Sequence, residues 1–179
     1  SSNVLAYMEG TDKSDEWLII TAHYDHLGKR GDVIYYGADD DGSGTVGVLE
    51  IAEAFAKAKA EGKGPRRNIL FMTVSGEEKG LWGSEYFADH PTIPLEKATA
   101  DLNIDMIGRL DTERKTGDTL SYVYVVGDDK LSSDLKPISE GVNNKYTNIT
   151  LDYKFNDPKD PNRIYYRSDH FNFANKGVP

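Results

Sequence analysis

The sequence predicts an α/β fold, and three observations predict it. Continuous apolar runs of strand length alternate with longer segments whose apolar residues recur at helical spacing. Stretches rich in Gly, Pro and Asp punctuate that alternation. Short clusters of acidic residues and histidine fall where strands should end or helices begin, which is the edge along which α/β sheets gather their functional side chains.

Asn3 to Glu9 and Trp17 to Ala22 are apolar, β-compatible runs separated by the turn-rich segment GTDKSDE, which predicts two hairpin-like strands, the second delivering His23. After a glycine-bearing loop, Ser43 to Lys59 sets Val46, Leu49, Ile51, Ala52 and Phe55 at roughly helical spacing, with Glu50, Glu53 and Lys57 on another face. DDDGSG opens that helix. Asn68 to Val74 (NILFMTV) is unbroken in its apolar character, as expected of a strand buried on both faces, and its C-terminal end delivers Glu77 and Glu78. Leu81 to Asp89 predicts a helix, and Ala100 to Ile107 a second buried strand whose polar exceptions are Asp101, Asn103 and Asp105. Thr119 to Val126 predicts a further strand, Lys130 to Val142 a helix carrying Pro137, and Asn148 to Lys154 a shorter strand. FNDPKDPNR, Phe155 to Arg163, is a Pro- and Asp-rich loop, after which Tyr165 to Asn175 carries SDH into a helix. No internal repeat or low-complexity tract interrupts this order.

A chain of 179 residues has the size of one ordinary domain and can bury a sizeable core without disulfides. The absence of cysteine excludes disulfides and thiolate metal sites but does not fix a compartment. A net charge of −9 disfavours a nucleic-acid partner, because phosphates would be repelled before any specific contact formed. No run of about 18 apolar residues appears, so no membrane association is expected. The opening SSNVLAYMEG lacks the features of a signal peptide. The expectation is a secreted or periplasmic protein whose signal lies outside this sequence; its oligomeric state is not legible.

Five clusters carry the chemistry: HYDH (His23 to His26), DDD (Asp39 to Asp41), EE (Glu77, Glu78), NID (ending at Asp105) and SDH (ending at His170). They supply imidazole nitrogen and carboxylate oxygen, the ligands that zinc takes where sulfur is absent. His23 and Asp25 lie two apart and point to one side of an extended segment, so Asp25 can orient a metal-bound His23, although a surface pair has the same pattern. Three aspartates in a row tolerate a helix start, where the dipole favours negative charge, and the flanking glycines of GADDDGSG let the backbone approach something closely. Adjacent Glu77 and Glu78 diverge, so that one can bind metal while the other stays free as a base; an exposed turn is the plain alternative. Asp105, among Leu102, Ile104, Met106 and Ile107, is costly to bury unless paired with Arg109 or bound to metal. His170 could merely cap a helix. His26 and His90 have no comparable context and are left outside the site.

In order, HYDHLG, GADDDGSG, SGEEKGLWGSEYF, NIDMIGR and SDHFNFANKGVP resemble the di-zinc aminopeptidases of the M28 metallopeptidase family across nearly the whole chain. The resemblance implies a three-layer α/β/α sandwich with a mixed, mostly parallel central sheet, of the zinc-dependent exopeptidase kind. It implies two Zn2+ per chain: His23 and Asp105 on one, Glu78 and His170 on the other, Asp40 bridging both. It also implies Glu77 as general base, Asp25 as the partner of His23, a cis peptide bond between Asp40 and Asp41, and a tyrosine as oxyanion donor, for which Tyr165 and Tyr166 are the candidates and Tyr166 is taken. Elementary chemistry agrees, since two dications about 3.5–4 Å apart need a shared anion between them. The implied reaction is hydrolysis of the N-terminal peptide bond of peptides with a free N-terminus, through a metal-bound water that Glu77 deprotonates.

The family pattern leads one to expect another buried strand and a closing helix after GVP. Residues 1–179 are therefore expected to be a single catalytic domain truncated at its C-terminus, and its abrupt start within a strand suggests the same at the N-terminus. Two rivals stand beside the peptidase. A glutaminyl-cyclase-like transferase would use a single zinc, and a peptidase-like binding domain would not be catalytic, although no ligand of the expected set is missing here.

Overall fold

The computed structural model describes residues 2–179 and divides into two compact units, one running up to Gly108 and resuming over Ser168–Val178, the other formed by Arg109–Arg167 with Pro179. The first unit is built on a four-stranded sheet of β1 (Val4–Met8), β2 (Lys13–His23), β5 (Arg67–Val74) and β6 (Ala98–Asn103), in the order β1-β5-β2-β6. β2 runs parallel to both of its neighbours, placing Leu18 opposite Ile69 on one side and Ala100 on the other, while β1 pairs antiparallel with β5.

The expected hairpin of the first two strands is therefore not formed, because β5 lies between them. Its core residues Asn68–Met72 are buried without a break, as befits a central strand whose faces are covered by helices and whose edges are bonded to β1 and β2. β1, with Val4 and Tyr7 exposed, takes the edge.

Successive residues of the central strands point to opposite faces. On one face Ile20, Ala22, Ile69 and Phe71 pack with Val48, Ile51, Ala52 and Phe55 of helix α1 (Gly42–Ala60). On the other, Ile19, Leu70, Met72 and Val74 meet Phe87 of α2 (Trp82–Asp89) and Phe173 of α4 (His170–Ala174), with Val178 closing the cluster. The result is the predicted three-layer α/β/α sandwich on a mostly parallel sheet.

Other boundaries moved for local reasons. A small hairpin of β3 (Gly28–Arg30) and β4 (Val33–Tyr35) occupies what reads in the sequence as loop. Its two-residue turn puts Gly31 at φ 58°, the positive φ that such turns demand of their first central residue. β6 stops at Asn103, earlier than the expected Ile107, and the chain leaves it through Met106 at φ 58° with Met106 and Ile107 exposed. A 3-10 turn over Glu77–Lys79, bracketed by left-handed Gly76 and Gly80, delays α2 to Trp82.

The second unit holds a parallel pair, β7 (Tyr122–Tyr124) and β8 (Thr150–Asp152), and helix α3 (Leu135–Tyr146). Both strands are shorter than expected and the helix begins five residues later. That start puts Pro137 in the first turn, where its missing N–H is one of those a helix leaves unbonded in any case. Charge and aromatic faces hold the unit together. Arg114 pairs with Asp152 and lies 4.2 Å from the centre of the Tyr122 ring, while the Tyr124 hydroxyl donates to Asp111 at 2.7 Å. Among the described residues no helix is long and apolar enough to cross a membrane.

Candidate metal centre

Five segments of the first unit carry the clusters. β2 ends on His23, the most deeply buried histidine, and β5 ends just before Ser75 and Gly76, so that Glu77 and Glu78 follow at the adjacent strand's carboxyl end. Asp105 follows β6, on the other side of β2. Asp39–Asp41 lead into α1, with a cis peptide bond between Asp40 and Asp41. Asp169 and His170 open α4.

These segments bring nitrogen and oxygen donors together. His23 Nε2 lies 3.1 Å from Asp40 Oδ1 and 3.9 Å from both Asp105 Oδ1 and Glu77 Oε2. Two sets of donors lie each within 4.8 Å of one another, one of His23, Asp40 and Asp105 and the other of His26, Asp40 and Glu78. Asp40 alone belongs to both. Glu77 stands beside the first set without entering it, and His170, half-buried at the start of α4, enters neither.

The remaining two aspartates of DDD hold the loop. Asp41 Oδ1 accepts from the Gly44 amide at 2.9 Å, capping α1, and from the Met106 amide at 3.1 Å. Asp39 Oδ1 accepts from the Gly108 amide at 2.7 Å and from the Ser43 hydroxyl at 3.1 Å. The segment carrying Asp105 is thus pinned to the segment carrying Asp40. Gly44 has no room for a side chain, since a Cβ there would sit 2.4 Å from Asp41 Oδ2 and from the Ile104 carbonyl.

Asp25 differs from its expected role in one respect. His23 Nδ1 lies 3.1 Å from the backbone carbonyl of Asp25, whereas the Asp25 carboxylate is 3.8 Å away, beyond hydrogen-bond reach. That carboxylate instead accepts the amides of Gly76 and Glu77, at 2.7 and 3.1 Å, because the left-handed turn at Gly76 points both N–H groups toward it. Asp25 therefore orients His23 through its main chain and fixes the Glu77 turn through its side chain.

Crowded carboxylates and burial perturb the ionisation of the site. Burial pushes Glu77 up to about 8, with His23 opposing and Asp169, Asp105 and Glu78 adding. For His23 burial acts downward, yet the Asp40 carboxylate 3.1 Å away and the charges of Asp105, Glu77 and Asp41 outweigh it and raise the imidazole to about 10. Burial also raises Asp105, against the Ser168 hydrogen bond. A cluster that holds its histidine this strongly as a cation is short of positive charge, and that is the electrostatic signature of a cation site.

The residues fit metal. His23 Nε2, Asp105 Oδ1, His26 Nδ1 and Glu78 Oε1 are buried with no hydrogen-bond partner, although His26 Nδ1 and Glu78 Oε1 approach to 2.6 Å. Buried imidazole and carboxylate donors that converge this closely are costly unless a cation, a proton or a metal ion, is held among them. His26, set aside in reading the sequence, thus belongs to the cluster. Its only sequence signal was the second histidine of HYDH, and nothing in that spacing tells which way the chain turns after β2. Tyr165 and Tyr166 lie in the second unit, on a 3-10 turn over Ile164–Tyr166, with their rings edge to face at 5.2 Å.

The family model described as Peptidase family M28 matches residues 3–179. A relative named "Probable zinc metalloprotease" from Pyrenophora tritici-repentis is 33% identical over 139 residues, 74% of this chain and 27% of its own length. The "Vacuolar membrane protease" of Saccharomyces cerevisiae is 29% identical over 157 residues, 86% of this chain and 15% of the relative. Among solved structures, the LapA aminopeptidase of Legionella pneumophila superposes with a TM-score of 0.72 at 26% identity, over 99% of this chain and 42% of LapA. The chain thus spans less than half the length of each.

Proposed function

The chain belongs to peptidase family M28, a family of zinc metallopeptidases, and from that premise we propose that it is an aminopeptidase using two zinc ions. The observation that carries this reading is the pair of donor sets sharing Asp40, with Glu77 beside them and in neither. A bridging carboxylate is what two neighbouring dications require, and an uncommitted carboxylate next to them is what a general base must be. His23 and Asp105 would hold one zinc and Asp40 both; for the other the family resemblance names Glu78 and His170, whereas the donor that lies with Glu78 and Asp40 is His26. Bound zinc would supply Lewis acidity, polarising the scissile carbonyl and making water more acidic.

The chain's own residues do the rest. Glu77 takes the proton of the attacking water and returns it to the leaving amine. Its turn is held by the Asp25 carboxylate through the Gly76 and Glu77 amides, so the base cannot drift from its post. The substrates are peptides with a free N-terminus, whose α-amine is drawn by the surplus of carboxylates. The similarity to the LapA aminopeptidase supports exopeptidase action.

The test is metal analysis of the purified protein coupled to amino-acid release from a panel of aminoacyl anilides. Two zincs per chain, chelator-sensitive release, and a drop of roughly 10²–10⁴-fold in Glu77→Gln at unchanged zinc content are expected. One zinc per chain with cyclisation of N-terminal glutamine would replace the peptidase by a transferase, and Glu77→Gln at full activity would remove the proposed base.

A further inference from the structure

A row of five polar side chains runs through the first unit and ends on Asp105. Ser168 Oγ lies 2.7 Å from Asp105 Oδ2, and Asn103 Nδ2 lies 2.8 Å from Ser168 Oγ. Asn103 Oδ1 lies 2.8 Å from Thr21 Oγ1, which lies 3.0 Å from Asp101 Oδ1. Thr21 and Asp101 are buried on the adjacent strands β2 and β6.

Counting protons fixes the direction of this row. An ionised ligand carboxylate can only accept, so the single hydroxyl proton of Ser168 goes to Asp105. Asn103 must then give Ser168 an amide proton, which turns its carbonyl oxygen toward Thr21. The single proton of Thr21 goes to that oxygen, and none is left for Asp101. We infer that Asp101 is held as a neutral carboxylic acid and donates to Thr21, starting four hydrogen bonds that run one way to Asp105 and leave Asp105 Oδ1 for the metal. Asp101, Thr21, Asn103 and Ser168 are positioning residues. The inference rests on the reading of Asp105 as a zinc ligand.

Two independent observations agree. Asp105 Oδ1, the oxygen that the row leaves over, is the one 3.9 Å from His23 Nε2, and it is buried with no hydrogen-bond partner. Asp101 Oδ2 is likewise buried without one, a place where a full negative charge would be costly and a neutral carbonyl oxygen much less so. Burial accordingly pushes Asp101 up to about 8, with the Thr21 hydroxyl opposing and the charge of Asp169 adding.

The experiment titrates the whole chain with cobalt(II), reading its visible spectrum, and compares wild type with His23→Ala, Ser168→Ala, Asp101→Leu and Asp101→Asn. Difference infrared spectra of wild type against Asp101→Asn report the protonation of Asp101 directly. We expect a cobalt site that His23→Ala removes, that Ser168→Ala and Asp101→Leu weaken by roughly 10–100-fold with an altered spectrum, and that Asp101→Asn retains, because its amide also donates to Thr21. The infrared difference should show a protonated carboxylic acid at neutral pH. Cobalt binding that His23→Ala leaves untouched overturns the reading of the site and the inference with it. Binding lost in His23→Ala but unchanged in Ser168→Ala overturns the inference alone, as does an ionised Asp101 in the infrared difference or an Asp101→Asn variant as impaired as Asp101→Leu. If Asp101→Leu does not fold, Ser168→Ala and the infrared difference still decide.

Discussion

All the fully buried apolar side chains among the described residues belong to the first unit, whereas the side chains buried in the second are Asp128 and Asn156. The first unit is a sandwich of apolar layers with its polar chemistry at one edge of the sheet. The second is held by ion pairs and by cations over aromatic rings, with Arg114 over Tyr122 and Lys154 4.3 Å from the centre of the Tyr124 ring. The difference teaches where rigidity comes from. Close-packed side chains can hold ligand atoms to fractions of an ångström, and a few ion pairs and ring contacts hold a chain less firmly. Every expected metal ligand and the expected base lie in the packed unit.

The largest test of that contrast is Phe173→Ala. Phe173 is fully buried between the sheet and Phe87, so its loss should cost about 3–5 kcal/mol. Both tryptophans, Trp17 and Trp82, lie in the first unit, and their fluorescence in urea reads the effect there; a loss under about 1 kcal/mol would mean that packing is not what supports the site. A smaller and local effect is expected of Arg114→Ala, which removes the partner of Asp152 and the cation over Tyr122. Amides of β7 and β8 should lose about tenfold or more of their hydrogen-exchange protection while the tryptophan transition stays put. A shift of both would show that the two units do not differ in the way described.

The smallest effect is in pH dependence, where the units should have opposite signs. Asp101 of the first unit is raised from 3.8 to about 8, so its contribution is fully present below about pH 4 and is lost as pH rises toward 8. Asp111 of the second is lowered from 3.8 to about 2, chiefly by the Tyr124 hydroxyl and the Glu113 amide, with Lys154 assisting. Its contribution is present above about pH 4 and is lost as pH falls toward 2. Asp101→Asn should flatten the slope that tryptophan sees between about pH 4 and 8, and Asp111→Asn the slope below about pH 4 in the protection of β7 and β8. Slopes of one sign would break the contrast.

The packed unit was also the more legible. The runs NILFMTV and Ser43 to Lys59 declared β5 and α1 because burial imposes a period or an unbroken apolar stretch on the sequence. In the second unit, where no buried face disciplines the pattern, Thr119 to Val126 yielded three residues of strand. Pairing was less legible than existence: β1 and β2 read as a hairpin because neighbours in sequence usually pair, whereas β5 lies between them. The ligand clusters were legible as ordered motifs. His26 was not, since its approach to Glu78 depends on the turn after β2, and neither was the row from Asp101 to Asp105, whose members show no common spacing.

The parallel ladder has a kinetic consequence. It joins Leu18 to Ile69 and to Ala100, so every pairing that sets His23 beside Glu77 and Asp105 closes a long loop of chain. Such contacts are completed late in folding, and the donors meet only once they are made. Zinc should then act as a lock and not as a nucleus: stopped-flow experiments should find the refolding rate insensitive to zinc and the unfolding rate slowed by it.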